Sequence, residues 1–504
     1  MSSSPSPPPA TARDRTFFGH PRGLVGLFFT EAWERFSYYG MRALLLYYMY
    51  DQVAHGGLGI PDDTARSLVA VYGSATYMAA ILGGWISDRL LGDRRATLYG
   101  GVLIMCGHIC LALPAGATAL FASMVLLALG TGLLKPTISA SVGDLYADGD
   151  PRRDSGFSIY YMGISIGAVS APLVVGTVGQ RYDYHLGFGI AAVGMALGLV
   201  VYLCTQRNLS DASREPQNPL RLREVPRSRS VPVLAAVALI VAAVVAAALS
   251  GVLTADAVVD AVSLAAVALP VAYFTVMLRS GRTTPAERAR LRAYVPLFVA
   301  AVFFWVIQEQ GATVIAQYAA ESTDLTAFGF AIPAPWFQSV GSVVLIALTP
   351  LFAVMWLCLD RSASPPTTAQ KFSAALVIAG LSYVLLVLPA SQEGLSSPLW
   401  LVASLAVVTV GEMFLAPIGL SATSRMAPAA FSTQTMGLWL ASGAAGQGIA
   451  AQLVGFYDAD TAGVYFGAVG AGTVVLGLAL FALAPALRRR TEEKEETAVP
   501  AADR

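Results

Sequence analysis

Apolar runs of roughly 18 or more residues recur along this chain between short polar breaks, the length a helix needs to cross bilayer hydrocarbon. They fall at 24–50, 68–90, 96–114, 119–143, 156–179, 186–205, 231–251, 257–278, 294–318, 337–359, 371–390, 398–422, 434–456 and 463–486. Helices are predicted for all fourteen, because barrel strands would leave short alternating segments instead. The expected fold class is therefore all-α and polytopic.

The polar breaks divide the chain. Residues 1–22 open with the Ser/Pro-rich MSSSPSPPPATARDR and form an expected disordered tail. Residues 23–205 hold six helices, 206–230 an Arg-rich linker, 231–280 a helix pair, and 281–293 a second linker. Residues 294–487 hold six more helices, and 488–504 form a charged tail. No signal peptide is expected, since the apolar stretch after Arg13, Arg15 and Arg22 is too long for one.

Composition sharpens this picture. Of 504 residues, 56% are apolar and 13% charged, with 32 basic against 32 acidic side chains. A neutral, charge-poor chain of this kind is neither a disordered tail nor a nucleic-acid binder. Its surface must face lipid. The basic residues also set an orientation. With both termini in the cytoplasm, Arg35, Arg42 and Lys135 fall in spans, Arg66 and Arg181 in outer loops, and the other 27 of 32 on the inner side. Outer loops carry acids such as Asp51, Asp62, Glu321 and Asp460. A multi-pass cytoplasmic-membrane protein is expected. Three Lys beside many Arg and Ala are associated with GC-rich bacterial genomes.

Ionisable groups inside the spans stand out, because burying them in hydrocarbon is costly. The first span contains EAWERFSYYGMR. At 100° per residue from Glu31, Glu34 falls near about −60°, Arg35 about +40°, Tyr38 about −20°, Tyr39 about +80° and Arg42 about +20°. One half of the helix thus carries every strong polar group and should look into a polar cavity, with Trp33 and Phe36 opposite. A salt-bridge cluster that only held helices together would not need two carboxylates and two guanidinia. Lys135, Glu309 and Glu412 each add one charge in other spans, Lys135 just before Pro136, which should kink its helix.

A rise of about 1.5 Å per residue gives depths. Arg42 lies about 16 Å further out than Glu31, at the level of Glu309, while Lys135 lies level with Glu31, Glu34 and Arg35. Two storeys of opposite charge, drawn from both halves of the chain, suggest two gates. Glu309 with Arg42 would form the outer gate. Glu31, Glu34 and Lys135 would form an inner cluster whose attraction weakens on protonation.

These residues carry a resemblance. Glu31-Ala-Trp-Glu34-Arg35-Phe36-Ser-Tyr38-Tyr39-Gly40 is similar to the ExxERFxYYG element of the proton-dependent oligopeptide transporter family, within the major facilitator superfamily. Gly83-Gly84-Trp-Ile-Ser-Asp88-Arg89-Leu-Leu-Gly92, Gly130-Thr-Gly132-Leu-Leu-Lys135-Pro136 and Phe157-Ser-Ile-Tyr160-Tyr161-Met-Gly163-Ile-Ser165-Ile-Gly167 match further elements in order. So do Phe304-Trp305…Glu309-Gln310-Gly311, Trp336-Phe337-Gln338-Ser339 and Gly411-Glu412…Pro417…Gly419-Leu420-Ser421.

The resemblance implies two six-helix bundles of inverted three-helix repeats, with the pair at 231–278 as inserted helices. It implies proton-driven uptake of di- and tripeptides by alternating access, with no cofactor, no metal and a monomer as the working unit. By the same resemblance, Arg35 and Lys135 would bind the peptide carboxylate and Glu412 its α-ammonium. Proton coupling would involve Glu31, Glu34, Arg35, Lys135 and Glu309. Tyr38, Tyr39, Arg42, Tyr77, Glu309 and Gln338 would line the pocket, and Trp305 and Trp439 would shape side-chain subsites. Asp88 and Arg89, with Arg94 and Arg95, look like a cytoplasmic latch.

Three positions depart from the family pattern, and two of them matter most: Ser165 and Gly341 stand where Asn is usual, as does Thr137 after Pro136. A weaker peptide site, or a non-peptide anion or peptidomimetic, becomes an alternative, as does a transport-inactive nutrient sensor. An enzyme is not expected, since no nucleophile–base pair or metal cluster emerges. His108 reads as a satisfied packing histidine. Cys106, Cys110, Cys204 and Cys358 read as small packing residues.

Overall fold

A computed structural model describes residues 19–147, 150, 152–209, 211–216, 254–326, 329–360 and 365–492. It contains thirteen long helices among the described residues. The first six are α1 (Arg22–Tyr50), α2 (Asp62–Ile86), α3 (Asp93–Ala112), α4 (Gly116–Gly143), α5 (Arg153–Ala171) and α6 (Tyr184–Thr205). An inserted helix α7 (Ala255–Arg279) follows. The last six are α8 (Pro285–Gln308), α9 (Gln338–Asp360), α10 (Thr368–Ala390), α11 (Pro398–Met426), α12 (Ser432–Leu453) and α13 (Ala462–Glu492). The predicted span at 231–251 lies outside the described residues.

Among the described residues, eleven helical stretches are long and apolar enough to cross a membrane. α1 and α12 miss that measure by composition: Glu31, Glu34, Arg35 and Arg42 interrupt α1, and Gly, Ser and Gln dilute α12. Both are packed among the others, α1 against α5 and α6, and α12 against α2, α7 and α8. α9 and α13 turn large apolar side chains such as Ile346, Leu351, Val475 and Phe481 outward, as a lipid-facing surface requires. The fold is thus an all-α, multi-pass membrane architecture.

α1–α6 pack on one another and α8–α13 do the same, which makes two bundles. They meet along α2 with α12 and along α5 with α9. Glycine sets the closest approaches: a Cβ on Gly167 of α5 would lie 2.6 Å from the Ala32 carbonyl and 2.8 Å from the Arg35 Cβ of α1.

Polar caps start several helices at the water edge. Thr284 and Glu287 form a capping box that begins α8 well before the apolar run at 294, so most of the expected 281–293 linker is helical. α13 likewise continues through 488–492, where a tail was expected. α4 runs unbroken through Pro136. The interruptions fall elsewhere. A π turn at Ser87–Leu91 follows α2, another at Pro172–Gly176 follows α5, and a 3-10 turn at Glu309–Ala312 follows α8 before helix resumes at Val314–Glu321. Below, the end of the molecule carrying the start of α1 and the end of α13 is called proximal, and the opposite end distal.

Candidate functional site

A cavity of about 370 Å³ lies between the bundles, within the size range of small-molecule sites. α1 contributes Arg35, Tyr38, Tyr39 and Arg42, α2 Tyr77, α4 Lys135, and α5 Tyr161 and Ser165. The second bundle contributes Trp305, Gln308, Glu309, Gln338, Gly341, Tyr383 and Glu412. The polar half of α1 is therefore divided. Arg35 to Arg42 face the cavity, but Glu31 and Glu34 do not line it: they are 2% and 0% exposed, sealed behind Arg35. Helical phase fixes direction around the axis, not how deeply a neighbouring helix covers a group, and Gly163 and Gly167 let α5 press close to this stretch.

Arg35 is the hinge of that cluster. Its Nε lies 3.1 Å from Glu31 Oε1 and 2.5 Å from Glu34 Oε2. Its Nη2 has no hydrogen-bond partner among the described residues, and the guanidinium sits 5.3 Å from the Tyr38 ring centre. Two carboxylates thus flank the guanidinium of a residue that also lines the cavity. Lys135 Nζ stands 4.7 Å above the Tyr77 ring and forms no ion pair among the described residues.

At the distal side of the cavity, Arg42 Nη2 lies 2.5 Å from Glu309 Oε2, and the Tyr77 hydroxyl donates to Glu309 Oε1 at 3.4 Å. Other hydrogen bonds join the bundles beyond this pair. Tyr47 Oη donates to the Ala316 carbonyl at 2.9 Å, Trp336 Nε1 to Thr177 Oγ1 at 2.8 Å, and Arg181 Nη2 to the Ala331 carbonyl at 2.8 Å. Arg66, buried, donates to the Val454 and Tyr457 carbonyls at 3.1 and 3.0 Å and also to Gln317. These contacts tie the two bundles together on the distal side of the cavity.

Glu412 faces the cavity from α11. Its one hydrogen bond among the described residues comes from Gln308 Nε2, at 2.8 Å, and no cation pairs with it. The cavity therefore presents a cation without a counter-ion on one bundle, Lys135, and an anion without one on the other, Glu412. Groups with these charges in opposite walls fit a small molecule with a carboxylate at one end and an ammonium at the other.

With this geometry in hand, relatives can be compared. The profile of the POT family matches residues 94–470. An uncharacterized transporter of Bacillus subtilis (strain 168) is 49% identical over 476 residues, covering 94% of this chain and 95% of that one. The chain belongs to the POT family. A di-/tripeptide transporter of Lactococcus lactis subsp. cremoris is 40% identical over 481 residues, covering 93% of this chain and 96% of its own. A crystal structure of the peptide transporter POT in complex with sulfate superposes with a TM-score of 0.91 at 51% identity, covering 95% of this chain and 97% of that one. This is a family of transporters, not of enzymes, and the chain shares its multi-pass fold.

The other residues singled out from the sequence lie in several different places. Trp439 does not line the cavity: it is buried, and its ring packs against Gly419 in the interior of the second bundle. Asp88 and Arg89 lie in the π turn after α2 and form no ion pair or hydrogen bond with each other among the described residues. At this corner Ser87 Oγ donates to Asp93 Oδ1 at 2.6 Å, and Arg94, another member of the expected latch, donates through Nε to Ser213 Oγ at 3.0 Å. His108 is fully buried, yet neither ring nitrogen finds a partner among the described residues, so it is not satisfied. The four cysteines are free, and Cys204 and Cys358 are exposed. Ser165 lines the cavity, but its hydroxyl donates at 3.1 Å to the Tyr161 carbonyl of its own helix. Gly341 leaves its stretch of wall without a side chain. Gln308 and Tyr383 were not singled out from the sequence, because their roles in the wall depend on partners in other helices.

Proposed function

We propose that this protein is a proton-coupled symporter that imports di- and tripeptides by alternating access. One observation carries the reading: Lys135 and Glu412, both without an ionic partner among the described residues, face one cavity from opposite bundles. A peptide zwitterion supplies both missing charges. Its carboxylate would reach Lys135 and the free tip of Arg35, and its ammonium would reach Glu412. Tyr38, Tyr39, Tyr77, Trp305, Ser165 and Gln338 line the space for the residues between. The related peptide transporters support the substrate class.

The count of charges supports proton coupling. Glu31, Glu34, Arg35 and Lys135 balance two against two. Bringing in a substrate carboxylate makes three anions against two cations beside the buried Glu31 and Glu34, which is costly. A proton on Glu31 or Glu34 restores neutrality and frees Arg35 for the substrate. Glu309 would take part at the distal gate, where its protonation weakens the hold of Arg42. On this reading the distal side faces outward, with both termini in the cytoplasm, and the contacts across the distal side are those of the closed outer gate. A single chain holds the complete cavity, which supports a monomeric unit embedded in the lipid bilayer.

The test is competition for binding in detergent or nanodiscs. A free dipeptide is expected to stabilise the protein thermally, while the same dipeptide amidated at its C-terminus or acetylated at its N-terminus is not. Equal stabilisation by all three would contradict recognition of both ends.

A further inference from the structure

Three consecutive side chains at the interruption of α8 point in three directions. Gln308 reaches Glu412, Glu309 reaches Arg42, and Gln310 turns away from the cavity into the second bundle. Gln310 is fully buried. Its Oε1 accepts from Tyr465 Oη of α13 at 2.7 Å and from Tyr383 Oη of α10 at 3.2 Å. Its Nε2 donates to the Val306 carbonyl at 3.0 Å, one of the carbonyls that the end of α8 leaves to be satisfied.

The backbone here is not a continuous helix. Glu309–Ala312 form a 3-10 turn, and Thr313, at φ −123° and ψ −96°, separates it from Val314–Glu321. In a 3-10 turn successive side chains diverge by about 120°. Anchoring Gln310 toward α10 and α13 therefore directs Glu309 toward the other bundle. Gly311, on the cavity side, has open space where a Cβ would be and adds no contact. Within membrane depth such an interruption persists only where side chains hold its polar groups.

We infer that Gln310, held by Tyr465 and Tyr383, is a positioning residue for the distal gate. It fixes the interruption of α8 to its own bundle, so that Glu309 meets Arg42 when the gate closes and the Val314–Glu321 segment swings from a fixed point when it opens. This inference rests on the transport reading above. It makes the gate depend on two tyrosines that touch neither gate residue.

The test uses the full-length protein in proteoliposomes, with Gln310→Met, Tyr465→Phe and the double variant. Turnover per folded molecule in Gln310→Met is expected to fall about tenfold, in line with the loss of a small number of buried hydrogen bonds. The KM for dipeptide should hold within about twofold, because Lys135, Arg35 and Glu412 are untouched. Tyr465→Phe should show a smaller fall of the same kind, and the double variant should match Gln310→Met, since both changes remove one interaction. Spin labels on the distal ends of α1 and of Val314–Glu321 should report a wider distance distribution in each variant.

Unchanged turnover, a loss in KM instead, or a loss that merely tracks the folded fraction would overturn the inference. If Gln310→Met does not fold, Tyr465→Phe decides alone, and wild-type turnover and distances in that variant would refute it. The distance measurement separates the two claims: wild-type protein without peptide uptake would defeat the transport reading, while the labels would still show whether Gln310 sets the gate.

Discussion

Arg42 of α1 and Glu309 of the α8 interruption meet at 2.5 Å across two bundles that otherwise contribute opposite walls of one cavity. Between charged groups shielded from water, such a contact is strong when both are ionised and weak when the carboxylate is neutral.

A Glu309→Gln variant keeps a hydrogen-bond acceptor for Arg42 but cannot change charge. Exchange of peptide across the membrane under equal pH should persist, while concentrative uptake driven by a proton gradient should be lost. Counterflow and gradient-driven uptake measured on the same proteoliposomes check this. Full gradient-driven uptake in the variant would remove Glu309 from the coupled step.

Lys135 has the Tyr77 ring beneath it and no ionic partner among the described residues. Replacing it with Ala should cost a charge-assisted contact of about 1.5–3 kcal/mol, or roughly 10- to 150-fold in affinity for a free dipeptide. A dipeptide amide, already lacking the carboxylate, should lose much less. Competition curves for both ligands on both proteins give the comparison.

Gly167 allows α5 to approach α1 at Arg35, and the atoms a new Cβ would meet include the Ala32 carbonyl at 2.6 Å. Backbone cannot rotate aside as a long side chain can. Gly167→Val should therefore destabilise the protein by about 1–3 kcal/mol. A lowered melting temperature in thermal-shift measurements, together with weaker dipeptide binding as Arg35 is displaced, is the expected pair of results.

Just before α1, His20 is buried against Tyr146, with Nδ1 2.9 Å from the phenolic oxygen. Burial first, then the Arg152 guanidinium, holds the imidazole below its usual value, with Asp150 opposing. The folded form thus binds fewer protons than the unfolded one, so this contribution is present above about pH 6.5 and fades as pH falls below it. Hydrogen exchange at 19–21 and 144–147, corrected for intrinsic rates, should accelerate at acid pH in the wild type. A His20→Gln variant should lose that pH dependence.

The membrane architecture was legible because lipid imposes a minimum helix length and makes charge costly. Runs of apolar residues and the rare ions within them could both be read directly, Glu309 and Arg42 included. Other features were set by partners far away in the chain. Glu31 and Glu34 lie on the predicted face of α1, yet α5 and Arg35 cover them, and no periodicity in α1 shows that. Gln310 gains its place from Tyr383 and Tyr465, which belong to α10 and α13. Trp439 carries the chemistry of a pocket wall but packs on Gly419 instead. Pro136 was the expected site of distortion, while the breaks fall after Ile86, at Pro172 and after Gln308.

The most direct measurement is uptake of a labelled dipeptide into proteoliposomes under an imposed pH gradient. With the exterior acidic, peptide should accumulate above its external concentration, and a pH dye inside should record acidification only when peptide is present. Uptake that only equilibrates, at the same rate with and without the gradient, would contradict the account.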